Sequence, residues 1–202
     1  MLKCKPISTK QQDIDNIVFR GRVLWRNLSA WLNRYLIVKT LKADAELEAV
    51  VIDRLHSVTG NFTDLIRTFF GDKAADDYTI LLSNYINLFI DLINALVEGN
   101  SRVADEIVKQ IYQNAGESAE FLSNLNPYWD KNTMENYNIN FTNMTLNEIN
   151  SFISKKYKDS FNIYERLISY SSSIGDFMAQ GIKDYLIYNL QKPTPVIPPT
   201  IE

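Results

Sequence analysis

Apolar residues recur at intervals of three and four along almost the whole chain, and this spacing restricts the fold more than any other feature of the sequence. It places them on one side of an α-helix, whereas a half-buried strand needs apolar residues at every second position. No segment alternates convincingly in that way. Seven Gly and six Pro leave few turns, and four of the Pro lie in the last ten residues. We therefore predict an all-α fold, an antiparallel helical bundle.

The apolar spacing and the turn residues predict four long helices and two shorter helical pieces. The long helices cover about residues 13–40, 72–98, 101–126 and 160–190, and the shorter pieces cover about 44–70 and 130–156.

Local signals refine these bounds. The 44–70 piece is expected to pause at Gly60-Asn61 and to end at Gly71, a suitable residue just beyond a helix. The short turn Gly99-Asn100 predicts an antiparallel hairpin, and Asn126-Pro127 ends a helix because the residue before Pro disfavours helical dihedrals. Thr145-Leu146-Asn147-Glu148 has the spacing of a capping box and is expected to open a short helix, followed by a loop over 155–160.

These elements predict one domain. We expect a flexible N-terminus over 1–12, a helical-bundle domain over 13–190 and a Pro-rich disordered tail over 191–202. Basic residues near Met1 are not followed by an apolar run, and the longest apolar stretch, Leu88–Val97, is interrupted by polar residues. We expect no transmembrane segment and a cytoplasmic location, with export through a removed leader as the open alternative.

Composition excludes several chemistries. With one Cys and one His, His56, the chain cannot form a zinc finger or an internal disulfide. A net charge of −3 provides no broad positive field for nucleic acid. Phosphate-binding Gly-rich loops are missing, and His56 has no activated nucleophile in a known motif beside it. We predict no cofactor and no nucleic-acid partner.

A repeat of 56 residues is a second expectation. Apolar, small and acidic residues each recur at this offset, although amphipathic helices in the same phase also match in their apolar positions. A threefold duplicated helical hairpin and a chance match therefore both stay open. The matching triplets are Leu55, Ile111 and Leu167; Leu65, Phe121 and Phe177; Ile66, Leu122 and Met178; Thr59, Ala115 and Ser171; Thr63, Ala119 and Gly175.

The acidic triplet consists of Asp64, Glu120 and Asp176. Three carboxylates on one axis could hold a hard cation through oxygen. Each is followed by a large apolar residue, which places the carboxylate at the edge of its helix. The favoured interpretation is a solvated helix edge, because charged residues are seldom buried unpaired.

Several stretches in a fixed order resemble a family of small helical proteins of Gram-positive bacteria that often carry the label acetylglutamate kinase. The label does not imply that activity here, because amino-acid kinases are αβα sandwiches with Gly-rich loops. The stretches are Arg22-Val23-Leu24-Trp25 with Trp31, Phe69-Phe70-Gly71, Leu81-Leu82-Ser83-Asn84-Tyr85, the run from Phe121 to Trp129, and Phe177-Met178-Ala179-Gln180-Gly181-Ile182.

The resemblance implies a site between helices. In that family a His recurs on three helices, and the corresponding positions here hold Leu28, Tyr85 and Asn138. Leu cannot bind a metal, and Tyr and Asn are poor ligands for transition metals. We therefore predict a non-catalytic module that binds a small molecule or a protein partner. The alternative is a metal-binding or enzymatic bundle whose inter-helix site is degenerate in this chain.

Overall fold

A computed structural model describes the backbone of residues 9–191 and the side chains of residues 16–188. Within that part of the chain there are six α-helices and no strand, which confirms the all-α bundle. The helices are α1 (Thr9–Thr40), α2 (Ala45–Phe70), α3 (Asp72–Val97), α4 (Ser101–Leu125), α5 (Lys131–Ile153) and α6 (Tyr157–Gln191).

Each helix packs against the next one in the chain, and α1 packs extensively against α6. Because the connections are short, consecutive helices run antiparallel and the six form a closed up-and-down ring. The odd-numbered helices α1, α3 and α5 also contact one another across its centre. The middle of the bundle is therefore lined by three helices that are distant in sequence.

The turns use the residues that the sequence indicated. Gly71 has a φ of +86° between α2 and α3, and Gly99 has a φ of +77° between α3 and α4, conformations that favour glycine. The Asn100 side chain then accepts a hydrogen bond from the backbone N–H of Val103 at the start of α4. The predicted helix ends at Gly71, Gly99-Asn100 and Asn126 are confirmed.

Two glycines allow α1 and α6 to approach closely. A Cβ atom added at Gly21 would lie 2.6 Å from the carbonyl oxygen of Gly175, and one added at Gly175 would lie 2.5 Å from the Gly21 carbonyl carbon. Beside this crossing, Arg22 of α1 forms a bidentate ion pair with Asp176 of α6. The backbones of α1 and α6 are therefore in direct contact at this crossing, and this contact closes the ring of helices.

The corner between α4 and α5 is fixed on α6. Trp129 is 1% exposed, and its indole Nε1 donates a hydrogen bond to the backbone oxygen of Met178 at 3.1 Å. Its ring lies directly over Gly181, where an added Cβ would lie 2.2 Å from Nε1. Trp129, at the end of the stretch from Phe121, therefore packs onto Gly181 in the stretch from Phe177 to Ile182.

Two predicted interruptions are wrong. Helix α2 continues without a break through Gly60-Asn61, and α5 continues through Thr145. A solvent-exposed Gly costs a helix only about 1 kcal/mol, and the buried faces on both sides of Gly60 keep α2 together. Thr145 does not cap a helix, because its hydroxyl donates to the backbone oxygen of Phe141 within α5.

Other observed helix bounds also differ from the predicted ones. Helix α1 begins at Thr9 rather than near residue 13, and α6 begins at Tyr157, within the predicted loop. The pieces predicted as shorter are helices of 26 and 23 residues. Residues 1–8 of the predicted N-terminal segment and residues 192–202 of the predicted tail lie outside the described residues.

Helix α3 is long and apolar enough, by length and composition alone, to cross a membrane. In the bundle it packs between α2 and α4 and contributes buried residues such as Phe89 and Ile93 to the core. The core helix of a globular bundle has the same composition. The expectation of no transmembrane segment stays a prediction.

Candidate functional site

Leu28, Tyr85 and Asn138 line one cavity in the middle of the bundle. They come from α1, α3 and α5, the three helices that meet across its centre. The positions singled out by the family resemblance are thus brought together rather than scattered over separate packed layers. We call this space the central cavity, and its other lining residues are Trp25, Tyr78, Leu82, Ala115 and Ser118.

The central cavity is small. Its volume is about 20 Å³, and a polar cavity needs roughly 10–15 Å³ to hold a water molecule. As it stands, the cavity therefore has room for about one water-sized group. Its walls are firmly packed, since Leu28 is fully buried and Tyr85 is 7% exposed.

Two polar groups on the lining already have partners. The Tyr85 hydroxyl lies 2.7 Å from Oγ1 of Thr142. The amide nitrogen of Asn138 donates to the backbone oxygen of Ala115 at 3.0 Å. The hydrogen bond to Ala115 fixes the orientation of the Asn138 amide group and therefore the position of its Oδ1.

Two other polar groups on the lining residues have no hydrogen-bond partner among the residues that the structure describes. Oδ1 of Asn138 is buried and accepts no hydrogen bond from a described residue, although an amide oxygen can accept two hydrogen bonds. The Tyr78 hydroxyl, on a residue 2% exposed, forms no hydrogen bond to another described residue, and only burial acts on its pKa. A third lining hydroxyl, Ser118 Oγ, lies at a long 3.4 Å from Asn114 Oδ1. The residues that line the central cavity therefore include one buried acceptor and one phenol without a hydrogen-bond partner among the described residues.

The central cavity is electrically neutral. Burial raises the pKa of the Tyr78 and Tyr85 hydroxyls far above its ordinary value, so both phenols stay protonated at physiological pH. No residue that lines the cavity carries a carboxylate, an ammonium, a guanidinium or an imidazole. An ion placed there would lose its hydration without gaining a counter-charge.

Aromatic contacts fix the walls. The ring of Trp25 packs edge-on against Phe62 and Phe141, with centroids 5.5 and 5.3 Å away. Tyr78 stacks on Phe121 with centroids 6.0 Å apart. Such rings lose few rotamers on packing and are held in place by several neighbours. The cavity is thus a preformed feature of the core.

The structure does not bring the acidic triplet together. Asp64, Glu120 and Asp176 lie on α2, α4 and α6 with side chains 68%, 61% and 42% exposed. Each forms an ion pair with a different cation, respectively Arg67, Lys131 and Arg22. Within the described residues, no group of three potential ligands is placed to hold a metal ion. These carboxylates occupy solvated helix edges.

His56 also lies at the surface. Its Nε2 is 3.0 Å from Oδ1 of Asn87 on the neighbouring helix α3. It is separate from the central cavity, which contains no imidazole.

Glu148 is a buried carboxyl inside α5, so the prediction that it belongs to a capping box at a helix start is wrong. It is 2% exposed, and Nδ2 of Asn33 on α1 donates to its Oε1. Burial raises the pKa of Glu148 to about 7, and the Asn33 hydrogen bond opposes that shift. Glu148 lies three residues after the buried Thr145 and four before the buried Phe152, on the same face of α5. This helical spacing in the sequence indicates that Glu148 is buried.

Comparisons with known proteins add no further constraint. No protein-family model matches the chain, and neither a curated protein nor a solved structure matches it. The class of protein is therefore defined by the fold and the site alone: a six-helix bundle with a small, uncharged and mainly apolar cavity at its centre.

Proposed function

We propose that this chain is a non-catalytic binding module that holds a small neutral molecule in the central cavity. The observation that carries the proposal is that Leu28, Tyr85 and Asn138 line one uncharged cavity, and that Oδ1 of Asn138 has no hydrogen-bond partner among the described residues. A buried acceptor without a partner costs roughly 1–3 kcal/mol. A bound molecule that donates a hydrogen bond to it would recover that free energy.

The lining favours binding over catalysis. A general base near neutral pH needs an imidazole or a suitably perturbed carboxylate, whereas the lining offers phenols, an amide and a hydroxyl. The same groups are poor ligands for zinc, iron or copper. The alternative function, a metal-binding or enzymatic bundle, is supported only by the meeting of the three helices at this point.

We also propose that the chain belongs to the family of small helical proteins that it resembles, and that it contains the 56-residue repeat. In support of the repeat, Leu55, Ile111 and Leu167 are all fully buried, and they lie on α2, α4 and α6. These are the second helices of the three successive hairpins. We further propose a bacterial, soluble and cytoplasmic protein, as expected from the composition and from the resemblance.

The test is ligand-dependent stability. The full chain is purified without heating, its small molecules are extracted and identified by mass spectrometry, and each is added back in a thermal unfolding series. A molecule at 100 times its dissociation constant stabilises a protein by about 2.7 kcal/mol, which for a chain of this size is about 5–10 °C.

A matched pair of variants assigns the effect to the cavity. Ala115→Val adds two methyl groups on the lining, and Ala104→Val adds them at another buried position of α4. Ligand stabilisation should disappear in the first and persist in the second. Equal stabilisation of both variants would place the binding elsewhere and overturn the proposal, as would the absence of any stabilising small molecule.

A further inference from the structure

Helix α1 carries positive charge only, over the part of it whose side chains the structure describes. Between residues 16 and 40 there is no Asp or Glu, and the cations are Arg20, Arg22, Arg26, Arg34 and Lys39. Helix α3, by contrast, contains four Asp and one Lys, and the whole chain has a net charge of −3. The surface of α1 is therefore the positive side of a protein that is negative overall.

Three of these five cations are left unpaired by the bundle. Arg22 and Lys39 each pair with a carboxylate of a neighbouring helix. Arg20, Arg26 and Arg34 are exposed, and no carboxylate of the described residues forms an ion pair with any of them. Their charge is available to an anionic partner.

Aromatic and aliphatic side chains lie among these arginines. Phe19 is 67% exposed, and Val23 and Trp31 are partly buried. The guanidinium carbon of Arg34 lies 4.6 Å from the centroid of the Trp31 ring, a cation–π contact. A helix turns 100° and rises 1.5 Å per residue, so these groups share an arc of about 140° and a length of about 23 Å. We call this surface the α1 face, and it consists of Phe19, Arg20, Val23, Arg26, Trp31 and Arg34.

An open groove of about 330 Å³ lies between α1 and α2 at one end of the α1 face. Phe19, Arg20 and Val23 line it from α1. Asp64 of α2 also borders it, but that carboxylate is paired with Arg67. The groove therefore presents an exposed aromatic ring beside an unpaired guanidinium.

We propose that the α1 face binds the surface of a membrane that contains anionic lipids, without crossing it. The guanidinium groups contact the lipid phosphates, while Phe19 and Val23 enter the apolar layer just below them. Trp31 lies at the level of the head groups, where Trp is enriched in membrane-bound proteins. This surface is separate from the central cavity, and the proposal does not depend on the proposed binding function.

The combination of charge and apolar area favours a membrane over other anionic partners. Nucleic acid offers a charged backbone but no apolar layer for Phe19, and the net charge of the chain opposes its approach. An acidic amphipathic helix needs a groove along the length of its partner, whereas the groove beside Phe19 is lined by α1 only as far as Asn27. An anionic bilayer supplies negative charge and an apolar layer together over the whole face.

The experiment is sedimentation of the full chain with vesicles of phosphatidylcholine alone, or of equal parts of phosphatidylcholine and phosphatidylglycerol. The chain should bind the anionic vesicles only, and binding should weaken in about 1 M salt, which reduces the Debye length to about 3 Å. Each basic residue near an anionic surface strengthens binding about fivefold. The triple variant Arg20→Gln, Arg26→Gln, Arg34→Gln should therefore bind about a hundredfold more weakly.

Matched variants separate the α1 face from net charge and from general hydrophobicity. The control triple Arg102→Gln, Lys155→Gln, Arg166→Gln removes three exposed cations outside α1 and should bind nearly as well as the wild type. Phe19→Ser should weaken binding about tenfold. Ile80→Ser, at a residue of α3 that is 64% exposed, should leave it unchanged. All these positions are exposed, and circular dichroism checks that each variant keeps the helical fold.

Trp31 reports the orientation of the bound protein. Trp25 and Trp129 are 5% and 1% exposed, whereas Trp31 is partly exposed on the α1 face. Anionic vesicles with brominated acyl chains should therefore quench part of the fluorescence, and the Trp31→Phe variant should lose that quenching.

Several results would overturn the proposal. These are equal affinity for both kinds of vesicle, binding to neither, an equal loss in the two triple variants, and quenching that persists in Trp31→Phe. Tighter binding of a short DNA duplex or of polyglutamate than of anionic vesicles, with no effect of Phe19→Ser, would assign the α1 face to a purely electrostatic partner and exclude the membrane.

Discussion

The stability of this protein should fall as the pH rises from mildly acidic to neutral, because Glu148 binds its proton more tightly in the folded state. Burial raises the pKa of Glu148 from 4.5 to about 7. Each pKa unit corresponds to 1.36 kcal/mol, so the shift is worth about 3 kcal/mol. That stability is fully present below pH 4.5, declines between about pH 4.5 and 7, and is absent above pH 7.

The variant Glu148→Gln isolates this contribution. Gln has the shape of the protonated carboxyl, and its oxygen can still accept the hydrogen bond from Nδ2 of Asn33. It does not ionise, so the variant should keep its stability where the wild type loses it. The difference in the free energy of unfolding, variant minus wild type, should grow by about 3 kcal/mol between pH 4.5 and pH 8.

Urea unfolding followed by circular dichroism measures this difference at half-unit steps of pH. Glu106→Gln is the matched control, because Glu106 is a surface carboxyl with a side chain 63% exposed, paired with Lys109. A difference between Glu148→Gln and wild type that stays constant with pH, or that shrinks toward neutral pH, would refute the reasoning. A comparable growth for Glu106→Gln would show that the effect is not one of burial.

Three further outcomes are expected. Gly175→Ala should destabilise the protein by about 1–3 kcal/mol in urea unfolding, because its Cβ would overlap the Gly21 backbone, whereas Gly60→Ala, with open space around it, should be neutral or stabilising. Deletion of residues 193–202 should leave the melting temperature within a few degrees in calorimetry, because four Pro deny the segment helical bonding. After dialysis, elemental analysis should find no stoichiometric zinc, iron or copper, because the described carboxylates form no ligand cluster.

The fold was predictable from the sequence because a bundle depends on a pattern that every helix repeats. Apolar spacing fixes which face of each helix is buried, and short turns such as Gly99-Asn100 fix antiparallel neighbours. The two wrong breaks, at Gly60 and Thr145, arose from local signals worth about 1 kcal/mol. Packing of the continuous buried faces of α2 and α5 outweighs signals of that size.

The central cavity could be predicted only in part. Leu28, Tyr85 and Asn138 were placed together by the family resemblance, since nothing in the local spacing relates positions on α1, α3 and α5. Tyr78 lies on the buried face of α3, where the apolar spacing predicts only that its phenol packs in the core. Whether such a hydroxyl finds a partner depends on residues distant in sequence, so periodicity carries no signal for it.

Glu148 and Asn138 show two different solutions to burying a polar side chain. Glu148 receives a hydrogen bond from Asn33 and can become neutral by binding a proton, so its burial is compatible with a packed core. Asn138 cannot change its charge, and its Oδ1 faces no partner within the described chain. A Leu at that position would fill similar volume without an unpaired acceptor. The unpaired Oδ1 of Asn138 therefore costs the core free energy that neither ionisation nor a hydrogen bond to another described residue offsets, whereas the burial of Glu148 is offset by both a proton and the Asn33 amide.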